Sequence, residues 1–181
     1  MKKFIMVVAA VAALLMGVTP AFAGAELSVD TFSRHVWRGQ AGPASISIQP
    51  TLDLVSIDSN IGATSIGIWG QIPITDGDTE YDITVSQEAG EYGTVSITSY
   101  YYDGPFLEAD SHDIEVGVDG SFGGVDLFIG RFVSGDDVKD DTYVQIDYEL
   151  DGYNFHVGAG DGSYVAEGDG FALVNVGVSV A

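Results

Sequence analysis

The sequence predicts an all-β protein, an antiparallel up-and-down transmembrane β-barrel of about ten strands behind a cleaved leader. Three observations carry this expectation. Apolar residues recur with period two in ten short stretches rich in β-branched and aromatic side chains. The alternate positions are often Gly, Ser, Ala or Thr, as a narrow barrel interior requires. The connections alternate between short and long, which is the plan of outer-membrane barrels.

The leader is residues 1–23. Lys2 and Lys3 precede an apolar run from Phe4 to Val18, Pro20 breaks it, and Ala21-Phe22-Ala23 is a cleavage box. A cut after Ala23 leaves one domain, residues 24–181. That domain has four basic residues against 27 acidic ones, a net charge of −23. Such a surface repels a phosphate backbone, so nucleic acid is not an expected partner. There is no cysteine, so stability must come from sheet and core. Hydrophobic content of 46% argues against a disordered acidic tail. No apolar run after the leader approaches the roughly 18 residues of a membrane helix, so any membrane crossing is by strands.

Strand 1 is read as Glu26–Arg38, with Asp30, Arg34 and Arg38 in one charged row that points inward. Strand 2, Ala44–Ser56, sets Ile46, Ile48, Leu52 and Leu54 against Ser45, Ser47, Gln49, Thr51 and Asp53. Pro50 marks a bulge or weak point there, since proline has no ladder donor. Strand 3 is Ile61–Gln71, with Trp69 on its polar side. Strand 4, Thr79–Glu88, opposes Tyr81, Ile83 and Val85 to Glu80 and Asp82. Strand 5 is Tyr92–Tyr102. Strand 6, Ser111–Gly120, opposes Ile114, Val116 and Val118 to Glu115 and Asp119. In strand 7, Val125–Val133, a bulge at Gly130 would turn Arg131 inward, where a charge is cheaper. Strand 8, Thr142–Leu150, alternates most cleanly, with Asp147 and Glu149 on its polar side. Strands 9 and 10 run over Tyr153–Gly160 and Ala172–Val180.

Alternation alone does not say which face meets water, because a soluble sandwich alternates too. Strand lengths near the 9–11 residues of a tilted bilayer crossing favour a barrel with its apolar face outward. So do aromatics near strand ends, read as interfacial girdles: Trp37, Tyr92, Tyr100–Tyr102, Phe122, Tyr143 and Tyr153.

The charged residues expected to face one another across the lumen are Asp30, Arg34, Arg38, Glu80, Asp82, Glu115, Asp119, Asp147 and Glu149. A salt-bridge network that fills a small barrel is one reading; a constriction selecting small cations is the other. Weak Ca²⁺ candidates sit on the long acidic loops, at Asp76, Asp78, Asp136, Asp137, Asp140 and Asp141, without the spacing of a calcium-binding loop. His35, His112 and His156 have no metal spacing, and His35 and His112 read as interface or surface residues. No nucleophile and base can be paired, so neither enzymatic activity nor a cofactor is expected.

The segment Ser33–Gly39, SRHVWRG, and the later Gln49-Pro50 resemble the opening strands of the Gcw_chp family of uncharacterised bacterial exported proteins. The stretches Ile66–Gly70, Glu80–Ser86 and Ser99–Pro105 fit the same strand pattern. The resemblance implies an outer-membrane barrel and brings no activity with it. His35 departs from it, standing where an aromatic is usual nearby.

The expectation is a monomeric, porin-like bacterial outer-membrane barrel in contact with lipid, either a small channel for ions or solutes or a structural protein with a filled lumen. The competing class is a soluble exported β-sandwich that binds divalent cations through its acidic loops.

Overall fold

The computed structural model describes residues 25–42, 44–60, 62–102, 112–166 and 170–180, with the side chains of 55–59 outside that description. The expected leader, residues 1–23, and residues 103–111 lie outside the described residues. Twelve strands are present among the described residues: β1 (Ala25–Phe32), β2 (Val36–Trp37), β3 (Gln40–Ala41), β4 (Ser47–Ser59), β5 (Gly62–Pro73), β6 (Glu80–Glu88), β7 (Thr94–Tyr102), β8 (His112–Phe122), β9 (Val125–Ser134), β10 (Thr142–Leu150), β11 (Tyr153–Gly160) and β12 (Ala172–Val180). No described helix is long and apolar enough to cross a membrane.

Ten of these strands form one antiparallel sheet in the order β1-β4-β5-β6-β7-β8-β9-β10-β11-β12; β2 and β3 pair only with each other. A single continuous ladder is not the two-sheet sandwich of the competing reading. It is also not a closed barrel. Among the described residues β1 and β12 are edges and do not pair with each other. β1 pairs with β4 from Ala25 opposite Leu54 to Phe32 opposite Ser47.

The turns explain the hairpins. Gly123-Gly124 joins β8 to β9 with φ of 62° and 84°, and Asp151-Gly152 joins β10 to β11 with φ of 52° and 80°. Positive φ at both central residues is the two-residue turn whose twist matches paired strands. These tight turns gather at one end of the sheet, and the longer connections gather at the other. Pairing of β4 with β5 skips Gln49 and Pro50, and a bulge follows between Leu54 and Ser56. Proline lacks a ladder donor, which accounts for the gap.

One face of the sheet is buried, and it is the polar face. Ser45, Ser47, Gln49, Gln71 and Glu115 are buried, together with Tyr100, Phe132 and Tyr143. The alternate residues point the other way and are exposed: Ile46 and Ile48 before and on β4, Val95 and Ile97 on β7, Ile129 on β9, Ile146 and Tyr148 on β10, Val176 and Val178 on β12. In water each such side chain forgoes roughly 1.5–3 kcal/mol that burial would return.

The buried face is curled around the β2–β3 hairpin. Trp37 meets Tyr100 of β7 and Phe132 of β9, with ring centroids 5.7 and 6.5 Å apart. His35 lies 5.3 Å from the Trp69 ring of β5. Gly39 backs onto Asn175 of β12, where a Cβ would sit 2.8 Å from the asparagine's own. One short hairpin therefore touches strands from both halves of the ladder.

Candidate functional site

The hairpin turns on Arg38 and Gly39, with φ of 49° and 80°. Trp37 pairs with Gln40 across it, so this too is a two-residue turn with positive φ at both centres. An L-residue in this region is disfavoured by roughly 1–2 kcal/mol. What offsets it is the guanidinium. Arg38 Nη1 donates to Glu115 Oε1 at 2.6 Å and Nη2 to Oε2 at 2.8 Å, a bidentate pair. Nη1 also donates to the Tyr164 hydroxyl at 2.7 Å, and the Tyr100 hydroxyl donates to Glu115 Oε2 at 2.7 Å. Rings enclose the cation: its Cζ lies 4.4 Å from the Trp37 centroid, 4.7 Å from Tyr143 and 4.9 Å from Phe128. The side chains of Arg38 and Glu115 are only 10% and 4% exposed.

Small residues opposite make room for this cluster. A Cβ at Gly130 would collide with the Glu115 carboxylate, and one at Gly158 with Tyr143 and Asn175. The hydrophobic core is correspondingly small, consisting of Tyr100, Phe132, Tyr143 and Tyr164 with Trp37, Phe128, Val138, Val165 and Val174 packed against them.

The expected charge network forms only in part. Arg38 and Glu115 meet, and Asp82 lies close enough to Glu115 and to Glu80 to be repelled by both. The Tyr102 hydroxyl bonds Glu80, while Asp82 Oδ1 is buried with no hydrogen-bond partner. The other members stay apart. Asp30 is exposed on the edge strand β1, and Asp119 and Glu149 are exposed. Asp147 accepts from Gln145 Nε2 at 2.7 Å. Arg34 is exposed and donates to the Gly42 carbonyl at 2.8 Å. The row of Asp30, Arg34 and Arg38 on one strand does not exist, because β1 ends at Phe32, the chain bends at Ser33 and Arg34, and Arg38 sits in the turn of the β2–β3 hairpin. Arg131 is corrected as well. The bulge in β8–β9 falls between Ile114 and Glu115, so Phe132 turns inward and Arg131 outward. It pairs there with Asp140 at 3.1 Å.

Of the aromatics assigned to a girdle, Tyr100 and Tyr143 are core with Trp37 packed against them, and Tyr101 is buried as well. The signal was present for two of them, since Tyr100 and Tyr143 share parity with the polar residues Thr98 and Gln145. Tyr92, Phe122 and Tyr153, near the tight turns, are exposed. Tyr164 carried no periodic signal, because it lies in a short turn, Gly162–Tyr164.

His112 is not a surface residue; it is buried and hydrogen-bonded through Nδ1 to Ser99 Oγ at 2.9 Å. Ser99 lies inside β7, paired to Ile83 and Ile114, where backbone amides serve the ladder rather than a developing oxyanion. His35 is half-buried against Gln49 and Trp69, and that burial holds its imidazole pKa below the ordinary value.

The acidic loops do not converge. Asp76 and Asp78 are exposed between β5 and β6, and Asp136 and Asp137 between β9 and β10. Asp140 is held below the usual carboxylate range by its hydrogen bond to Lys139 and by Arg131. Asp141 is buried and accepts the Ser163 amide at 2.7 Å, tying two loops together. Among the described residues no three of His, Asp and Glu gather as ligands for a metal ion.

No protein-family model matches this chain, and no curated protein or solved structure proves similar to it. The likeness of Ser33–Gly39 to an exported family rests on its residues alone.

Proposed function

We propose that this chain is an outer-membrane β-barrel whose charged interior is largely filled by its own hairpin, a structural barrel or narrow ion path rather than an open pore. The observation that carries the reading is the inverted sheet: polar and aromatic residues are buried, and Val, Ile and Leu are exposed along strand after strand. An apolar surface this continuous needs an apolar medium. The short-turn and long-loop ends fit the same plan, and the resemblance of Ser33–Gly39 belongs to the same proposal.

Closure is part of the proposal. In hydrocarbon the free N–H and C=O groups of β1 and β12 would go unsatisfied, each at several kcal/mol. Ten strands make the two edges antiparallel. Matching inward to inward residues sets Ser28, Asp30 and Phe32 of β1 beside Asn175, Gly177 and Ser179 of β12. Leu27 and Val29 then join Val176 and Val178 outside. The contact of Gly39 with Asn175 supports this, because the segment after β1 already lies against β12.

The test is fractionation of cells carrying the full chain, then electrophoresis with and without heating. Recovery in the outer membrane with a faster unheated band supports a closed barrel. Recovery in a soluble fraction rejects the membrane assignment. Planar-bilayer recording separates filled from open: the wild type is expected to be nearly silent, and Arg38→Ala, which frees the hairpin, to conduct.

A further inference from the structure

Beside the hairpin, at the long-loop end, is a half-enclosed cavity of about 350 Å³. That volume lies within the range of small-molecule sites. Its walls include the rings of Trp37, Tyr102 and Phe132 and the carboxylates of Asp78, Glu80 and Asp113. The described lining contains no Lys or Arg. The nearest buried cation, Arg38, is committed to Glu115 through both terminal guanidinium nitrogens. Negative charge continues behind the walls: Asp82 interacts with Glu80, and Asp136 and Asp137 with Asp113.

We propose that this cavity binds a small organic cation, an ammonium or guanidinium head on a short apolar body. Carboxylates in a concave, partly desolvated space focus a negative potential and select for positive charge. Aromatic rings favour a cation that also carries apolar surface. A bare metal ion fits poorly, because the carboxylates do not converge as a ligand set among the described residues. A neutral sugar would match the rings and leave the charge uncompensated. The site stands independently of the membrane assignment, since it is built within one curled sheet.

The test is isothermal titration of the purified folded chain with agmatine, and with butylurea as an uncharged probe of similar length. Saturable agmatine binding is expected, with no binding of butylurea and a loss of affinity on raising salt. Glu80→Gln and Asp113→Asn, each checked for fold by circular dichroism, should weaken binding about tenfold, in line with the loss of one nearby charge. Asp147→Asn, at the opposite end, should leave it unchanged. The proposal fails if agmatine shows no saturable binding at millimolar concentration, or if butylurea binds equally. It fails also if both cavity variants bind as the wild type does, or if Asp147→Asn weakens binding as much as they do.

Discussion

The two ends of the buried face handle charge in opposite ways. At the loop end, Arg38 and Glu115 are almost fully desolvated, paired with each other through two hydrogen bonds and with the Tyr164 and Tyr100 hydroxyls. At the turn end, Asp119, Asp126, Asp147 and Glu91 line a cavity of about 450 Å³ with no cation in its described lining. The difference teaches where the chain needs compensation. Carboxylates that keep access to water can stay unpaired, while Glu115, enclosed among tyrosines, is held by a guanidinium; Asp82 beside it, with a buried and unpartnered Oδ1, is instead pushed toward its neutral form by burial.

Removing Glu115 should break this contrast most sharply. Glu115→Ala leaves the guanidinium buried without a counter-charge and should cost about 3–5 kcal/mol, read as a lowered urea midpoint. Asp147→Ala should move that midpoint by no more than about 0.5 kcal/mol. Equal effects would mean the loop-end pair is no more structural than the turn-end acids. A double replacement, Arg38→Met with Glu115→Leu, should recover most of the loss, because it removes both charges at once.

Arg38→Lys comes next. It keeps the charge but loses the fork that grips both Glu115 oxygens and the flat face that stacks on Trp37 and Tyr143; a loss of roughly 1–3 kcal/mol is expected. A variant as stable as the wild type would show that charge alone holds the hairpin. Gly130→Ala should follow at about 1–3 kcal/mol. Its methyl group would land on the Glu115 carboxylate, which cannot swing aside while Arg38 and Tyr100 hold it. Crystallography or cross-peaks of Glu115 in the variant would show whether the pair has opened.

The smallest effect belongs to His35. Its folded pKa is depressed by burial, so the unfolded chain binds a proton more readily than the folded one. The stability this contributes is complete above the unfolded value of about 6.5 and is lost as pH falls toward and through the folded value. Melting curves of wild type and His35→Gln should therefore converge at neutral pH and part slightly below pH ~6. Parallel curves down to pH ~5 would remove His35 from the account.

Most of the sheet was legible in the sequence. Every strand from β4 to β12 lies within a few residues of its expected position, and the inward parity was correct along most of the sheet; it failed at Arg131 on β9 and at the start of β12, where a bulge turns Val174 onto the core and leaves Leu173 exposed. Period two is unambiguous where one face is β-branched and the other is Ser, Thr, Gly or Gln, as in Tyr143–Leu150. The hairpin was not legible. An Arg-Gly turn lacks the Asn-Gly signature of its type, and Ser33–Arg38 read as a continuation of β1. Arg38 and Glu115 were both recognised as inward charges, but nothing local joins residues 77 positions apart. Arg131 was misjudged because the bulge falls one turn of the pleat later than Gly130. Closure depends on the two edges, which a strand pattern does not describe.

The reach of Arg38 along the chain has a consequence for the order of assembly. Each strand from β4 onward pairs with its sequence neighbour, so the meander can zip up through local contacts. The hairpin cannot finish early. Its partners lie 77 residues away at Glu115 and 126 residues away at Tyr164. A segment made near the start of synthesis must therefore wait for one made near the end. Until then its guanidinium remains hydrated and mobile, and the last slow step in folding should be its docking rather than the formation of any strand.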